Sequence, residues 1–215
     1  FSLSEHALSQ DNGSAIMCAS EEKVYDTLGM PWIPPELRED RGEVQAALAG
    51  ELPEMLECRH FQSELHTHST WSDGTASIET MAKEAHARGM KVLAITDHTY
   101  SLGVANGMTA DLLRQQRAEI ESAQRKLGGS IRLLAGAEVE IRADGTMDFE
   151  DEVLAGLDIV IAALHSGLRQ PREIVTRRLL KAVQNPHVDL IAHPGGRRLP
   201  DRESADLDMD VVLAA

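Results

Sequence analysis

Five short apolar runs in this 215-residue chain each end in a residue able to bind a metal ion. They read Leu65-His66-Thr67-His68, Ile95-Thr96-Asp97-His98, Ala135-Gly136-Ala137-Glu138, Ala163-Leu164-His165 and Ile191-Ala192-His193. Each closes a strand-like stretch, and four of the five are followed by a candidate helix. Strand and helix in alternation predict βα units around a parallel sheet. In an α/β barrel the C-terminal ends of the strands open on one face. Residues at those ends therefore converge, and here they would assemble a polynuclear metal site.

The local signals agree with that alternation. Ser77 is placed to cap a helix with Ile78, Met81, Ala82 and Ala85 on one face, and Gly89 ends it. Lys91 to Thr96 reads as a buried strand. Thr109 opens a longer helix with Leu112, Leu113, Ile120, Ala123 and Leu127 inward, closed by Gly128-Gly129. Ile131 to Glu138 and Leu157 to Leu164 read as the next two strands; the second is apolar apart from Asp158, as a strand covered on both faces should be. Pro171 suits the first position of a helix carrying Ile174, Val175, Leu179 and Val183. Val188 to Ala192 is the fifth strand, and the apolar stretch Val211 to Ala215 runs on to the last residue.

Residues 1–60 differ in character. They hold the turn signal Asp11-Asn12-Gly13, a short helix candidate from Glu21 to Leu28 and the rigid run Pro31-Trp32-Ile33-Pro34-Pro35. Residues 38–58, charged and Ala-rich, predict a helix leading into a connector. The expected division is an appendage over 1–60 and a βα domain carrying the metal-competent strand ends over 61–215.

His66 and His68, two apart on a strand, point to the same side, and Asp73 follows on a turn. Asp97 beside His98 offers a ligand together with a carboxylate to orient it. Glu138 and Glu140 share a face and either could bridge metals; Glu138, nearer the apolar part of its strand, is the preferred one. His165 and His193 gain weight from the buried runs before them. Imidazole and carboxylate ligands without thiolate suit zinc, manganese or iron. Two or three such ions close together acidify a bridging water and neutralise a phosphoryl group under attack. A phosphoester is the natural substrate, with Arg169 and Arg197, beside Arg198, as candidate contacts. Four further histidines, His6, His60, His86 and His187, read as structural or surface residues.

The remaining features bound the function. Net charge is −14, which works against a broad nucleic-acid footprint. Cys18 and Cys58 are isolated, so a disulfide framework is not expected and a reducing cytoplasm is the default compartment. No apolar run approaches the roughly 20 residues of a membrane span. P-loop, Rossmann, G-x-S-x-G and Cys/His signatures are absent. Phe rather than Met at position 1 hints at a fragment.

These residues resemble the polymerase and histidinol phosphatase (PHP) family of metal-dependent phosphoesterases. The match rests on His66-Thr67-His68, Thr96-Asp97-His98, Gly136-Ala137-Glu138, His165-Ser166 and His193-Pro194. Ser69 to Thr75, Leu102 to Gly107, His165 to Arg169 and Asn185 to Asp189 narrow it to the PHP domain of bacterial family X DNA polymerases. Glu22 to Tyr25 and Leu28 to Arg38 are similar to the segment joining the polymerase thumb to that domain. The resemblance implies a distorted (β/α)7-type barrel, incomplete here with about five βα units. It implies that His66 and His68 hold one metal with Glu138, and that Glu138 bridges to a second held by His165 and His193. Asp73 and His98 would bind a third. Glu138 and His98 are the expected catalytic residues, with hydroxide from bound water as nucleophile. The activity implied is manganese- or zinc-dependent 3′-5′ exonuclease and DNA-end processing, as in DNA repair; stand-alone relatives are phosphatases.

The family's last ligands come from an Asp-x-His motif beyond the fifth strand, so a chain ending at Ala215 leaves two sites short of a ligand. Self-association through the open barrel edges is one expected consequence. A free-standing small-molecule phosphatase or esterase, or a non-catalytic module stapled by its metals, are the rival readings.

Overall fold

Runs of small and branched apolar residues, buried on both faces, form the middle of a five-stranded parallel sheet that curls into a half-barrel. The computed structural model describes residues 1–5 and 7–215, so the reading of His6 as a surface or structural residue lies outside the described residues. The chain divides into two compact units, Phe1–Glu57 and Cys58–Ala215.

The first unit begins with three short antiparallel strands, β1 (Ser2–Leu3), β2 (Leu8–Ser9) and β3 (Ala15–Ile16). Ser20 caps α1 (Glu21–Thr27) by accepting from the Lys23 amide. The proline run brings Trp32 back onto this helix, where its Nε1 donates to Glu21 at 2.9 Å. The Arg38 guanidinium donates to the same carboxylate at 2.7 Å and lies over the rings of Tyr25 and Trp32. The helix expected within 38–58, leading into a connector, is α2 (Glu43–Ala49). Gly50 at φ +72 terminates it in the left-handed region, and Pro53 prevents its resumption.

The second unit runs β4 (Ser63–Glu64), α3 (Ile78–Ala87), β5 (Val92–Ile95), α4 (Ala110–Lys126), β6 (Arg132–Glu140), α5 (Asp151–Leu154), β7 (Ile159–Ala163), α6 (Arg172–Val183), β8 (Leu190–Ile191) and α7 (Met209–Leu213). Strand order follows the sequence from β4 to β8, and every neighbouring pair is parallel. Ser77 and Thr109 cap α3 and α4 as expected, each hydroxyl accepting an amide three residues on. Pro171 stands one residue earlier than predicted, as the N-cap of α6. Asp158 has a structural part at the start of β7: its carboxylate accepts from the Ala135 amide and meets Arg117. The first and fifth strands are shorter than their apolar runs because each is an edge with a single partner. The stretch around Val211 is helical, with Asp208 accepting from the Val211 amide at 3.2 Å.

On the outer face, Glu79 of α3 accepts from Lys126 of α4 and from Lys83, each at 2.7 Å. These contacts hold its carboxyl at about 2, down from 4.5. The folded chain thus releases this proton more readily than the unfolded one. The resulting stabilisation is complete above pH 4.5 and is lost as pH falls through about 2. Glu79→Gln is expected to flatten the stability slope in that window, with a small loss of stability at neutral pH, where the exposed pair contributes, and none below about pH 2; urea unfolding at several pH values checks it.

Candidate metal centre

Parallel strands put their C-terminal ends along one rim, and the central strand β6 delivers Glu138 there, 1% exposed. Five imidazoles surround this one carboxylate. Around Oε2 stand His98 Nδ1 at 2.9 Å, His66 Nε2 at 3.2 Å and His68 Nε2 at 3.5 Å. Around Oε1 stand His193 Nε2 at 2.9 Å and His165 Nε2 at 3.3 Å. Close as they are, neither Glu138 oxygen has a hydrogen bond, and His66 Nε2, His68 Nδ1 and His98 Nδ1 are likewise buried and unpartnered. Buried polar atoms are almost always paired, so orphans clustered this way need a physical cause. A metal ion supplies one: ligand atoms about 2.1 Å from a tetrahedral ion lie about 3.4 Å from one another, close to the spacing here. The donor set of imidazole and carboxylate fits a divalent ion of the zinc or manganese kind.

Among the described residues three sets of three are compact enough to share an ion: His66, Glu138 and His193; His68, Asp73 and His98; His98, Glu138 and His165. All seven residues expected from the sequence lie in these sets. His68 groups with Asp73 and His98 here, though it also approaches Glu138. Its ring stacks on that of His98 at 4.2 Å.

Carboxylates behind the rim hold the donors in place. Glu140, two residues on from Glu138, accepts from His165 Nδ1 at 2.8 Å and from the Ser166 hydroxyl at 2.6 Å. It thus fixes the orientation of this imidazole, as the carboxylate partner of a metal-binding histidine would. Asp97, beside His98 in sequence, turns away into the protein. It accepts from the Ser69 amide and hydroxyl, the Ser72 hydroxyl and the Gln116 amide. These contacts pin the turn that carries Asp73. Gly74 closes the turn where a Cβ would stand 2.1 Å from the His68 carbonyl oxygen, so no other residue fits. Asp148 anchors the next loop, accepting from Thr99 Oγ1 at 2.6 Å and the Ser101 amide at 2.9 Å.

The electrostatics follow from this packing. Burial acts to raise the Glu138 carboxyl, but its contacts with His165, His193, His66 and His98 more than offset that and hold it far below the usual carboxylate range. For His165 burial acts downward, yet the two glutamates raise it to about 9. His68 is lowered, by burial first and then by the neighbouring His98.

The donors line a cavity of about 580 Å³. Its remaining walls are Leu102, Val104, Ala105 and Arg202. Arg169 and Arg197 are exposed and stand outside this lining. The sequence reading missed Arg202, whose Nε donates to the Gly196 carbonyl at 2.6 Å. Its only signal was a third arginine after Arg197-Arg198, presented by the short antiparallel bridge between residues 198 and 202.

Residues 64–197 match the PHP domain, which is more than half of the chain. The chain belongs to the PHP domain family. Residues 1–39 match the DNA polymerase beta thumb, so in this chain a thumb fragment precedes the PHP domain. The chain is 43% identical over 194 residues to the DNA polymerase/3′-5′ exonuclease PolX of Bacillus subtilis, covering 90% of this chain and 34% of that protein. It is 33% identical over 157 residues to a probable phosphatase of Thermoanaerobacter sp. strain X514 (70% of this chain, 58% of that protein). A probable phosphatase of Acetivibrio thermocellus is 32% identical over 159 residues (72% and 61%). The chain thus spans about a third of the polymerase and three-fifths of the phosphatases. The structure accordingly shows a PHP-type rim with clustered histidine, glutamate and aspartate donors. No helix among the described residues is long and apolar enough to cross a membrane.

Proposed function

We propose that this PHP domain hydrolyses phosphoester bonds with two or three divalent ions, manganese or zinc, and acts on the 3′ end of a DNA strand in a polymerase context. The observation that carries this reading is the buried Glu138 carboxylate, both oxygens unpartnered, at the focus of five imidazoles. His66, His68, Asp73, His98, Glu138, His165 and His193 would hold the ions, which supply charge to neutralise the phosphoryl oxygens and acidify water. Glu138 and His98 each belong to two of the three sets, which favours them as the residues whose loss costs most. Glu140 keeps the proton on His165 Nδ1 and so leaves Nε2 free for a ligand.

Arg202 faces the same cavity with its terminal nitrogens outside any ion pair among the described residues. A guanidinium so placed suits a phosphate oxygen, and Leu102, Val104 and Ala105 offer an apolar wall to the sugar or base. Arg202→Gln is expected to raise KM roughly 10- to 100-fold, with metal content unchanged, from the loss of a charged hydrogen bond. Steady-state kinetics alongside elemental analysis checks it.

The reading is tested by manganese-dependent release of nucleotides from 3′-labelled single-stranded DNA, with aryl phosphate as the comparison. Hydrolysis that survives both chelation and His193→Ala overturns it. Turnover of small phosphomonoesters without DNA favours the second reading, a small-molecule phosphatase, which the named phosphatases support. A chelator that lowers the melting temperature of a chain hydrolysing neither substrate would indicate a metal-stapled module.

A further inference from the structure

Arg178 is 2% exposed, the largest charged side chain in the interior. Arginine is almost never buried without a carboxylate partner, yet Arg178 forms no ion pair among the described residues. Its guanidinium meets backbone instead. Nε donates to the Arg142 carbonyl at 2.9 Å. One terminal nitrogen donates to the carbonyls of Ile141 at 2.6 Å and Ser166 at 2.9 Å. The other donates to Gln170 Oε1 at 2.7 Å and the Gly167 carbonyl at 3.3 Å. These contacts use all five N–H donors of the fork.

The acceptors lie on two separate segments. Ile141 and Arg142 continue β6 directly after Glu140; Ser166 and Gly167 directly follow His165. Ser166 is gripped from both sides: its amide and hydroxyl donate to Glu140, and its carbonyl accepts from Arg178. A closed ring results, running from Glu140 through the Ile141 carbonyl, Arg178 and Ser166 back to the Glu140 carboxylate. His165, whose own amide and Nδ1 contact Glu140, sits on that ring. Gly167 at φ +64 belongs to the same arrangement, since a Cβ there would stand 2.7 Å from an Arg178 nitrogen.

We infer that Arg178 is a positioning residue of the metal centre: its buried guanidinium locks the β6 and β7 exits together and so fixes the Glu140–His165 pair that aims the imidazole at Glu138. This rests on the reading of His165 as a metal ligand. Lysine cannot substitute, because an ammonium offers three donors from one point where the site needs a planar fork.

The test compares Arg178→Met and Arg178→Lys with the parent chain by two readouts that a purely structural role would leave alone. The first is the exchange-protected Nδ1–H resonance of His165 in the metal-free chain. The second is the dissociation constant for manganese or zinc. Both variants are expected to lose the resonance and to bind metal on the order of 10- to 100-fold more weakly, as when the partner of a ligating histidine is removed. Variants that melt earlier but keep both the resonance and the affinity overturn the inference. Should Arg178→Met fail to fold, Gly167→Ala disturbs one donor of the clamp, and the same two outcomes decide. A parent chain that binds no metal defeats the phosphoesterase reading, and the imidazole resonance still tests the clamp by itself.

Discussion

Glu138→Gln is expected to empty the metal centre. The amide removes the only charge at the focus of five imidazoles and offers one acceptor where two oxygens now serve two groups of nitrogens. Removing even the partner of a ligand costs 10- to 100-fold in affinity, so loss of the shared ligand should cost at least about 100-fold. Elemental analysis after mild dialysis should find the variant depleted, with Asp73→Asn retaining more, since Asp73 belongs to one set and its side chain is 46% exposed. Equal loss from both variants would refute this ranking. In the parent chain, metal at a hundred times its dissociation constant should add about 2.7 kcal/mol of stability, and Glu138→Gln should lose that increment.

Asp97→Ala should be the most destabilising single change near the rim. Asp97 is fully buried and satisfies a backbone amide, two hydroxyls and a glutamine amide. Each buried donor left without an acceptor costs about 1–3 kcal/mol, and with partial relaxation the sum comes to about 4 kcal/mol. Urea unfolding measures it. Because the freed groups hold the turn before Asp73, the same variant should weaken metal binding at His68, Asp73 and His98 more than elsewhere. A loss of under 1 kcal/mol would show that water takes over the carboxylate's role.

The five strand ends were legible because buried parallel strands are written as continuous apolar runs, and a histidine or glutamate closing such a run marks where the strand leaves the core for the open rim. The choice between Glu138 and Glu140 was not fixed by alternation, which places both on one face. What distinguishes them is that the Ser166 hydroxyl and the His165 ring engage Glu140, and both come from a segment 25 or more residues away. Asp97 misled for a related reason. Adjacent residues at a strand end point in opposite directions, so the carboxylate beside His98 faces Gln116 on α4. Arg202 was invisible because its place depends on the fold of an irregular segment, which no periodicity records.

The two-residue alternation along β6 gives the rim a further property. Ala137 and Val139, between and beside the two glutamates, pack with Met108, Leu113, Phe149 and Leu154. A slip of β6 by one residue against its neighbours would drive both carboxylates into that apolar cluster and leave the imidazoles facing methyl groups. A slip by two would be subtler: Glu140 would take the place of Glu138, and His165 would lose its Nδ1 partner. Only one alignment places one carboxylate at the focus of the imidazoles and another behind His165. The bound metal would therefore act as a proof-reader of strand alignment, holding tightly only to chains whose central strand has docked in frame.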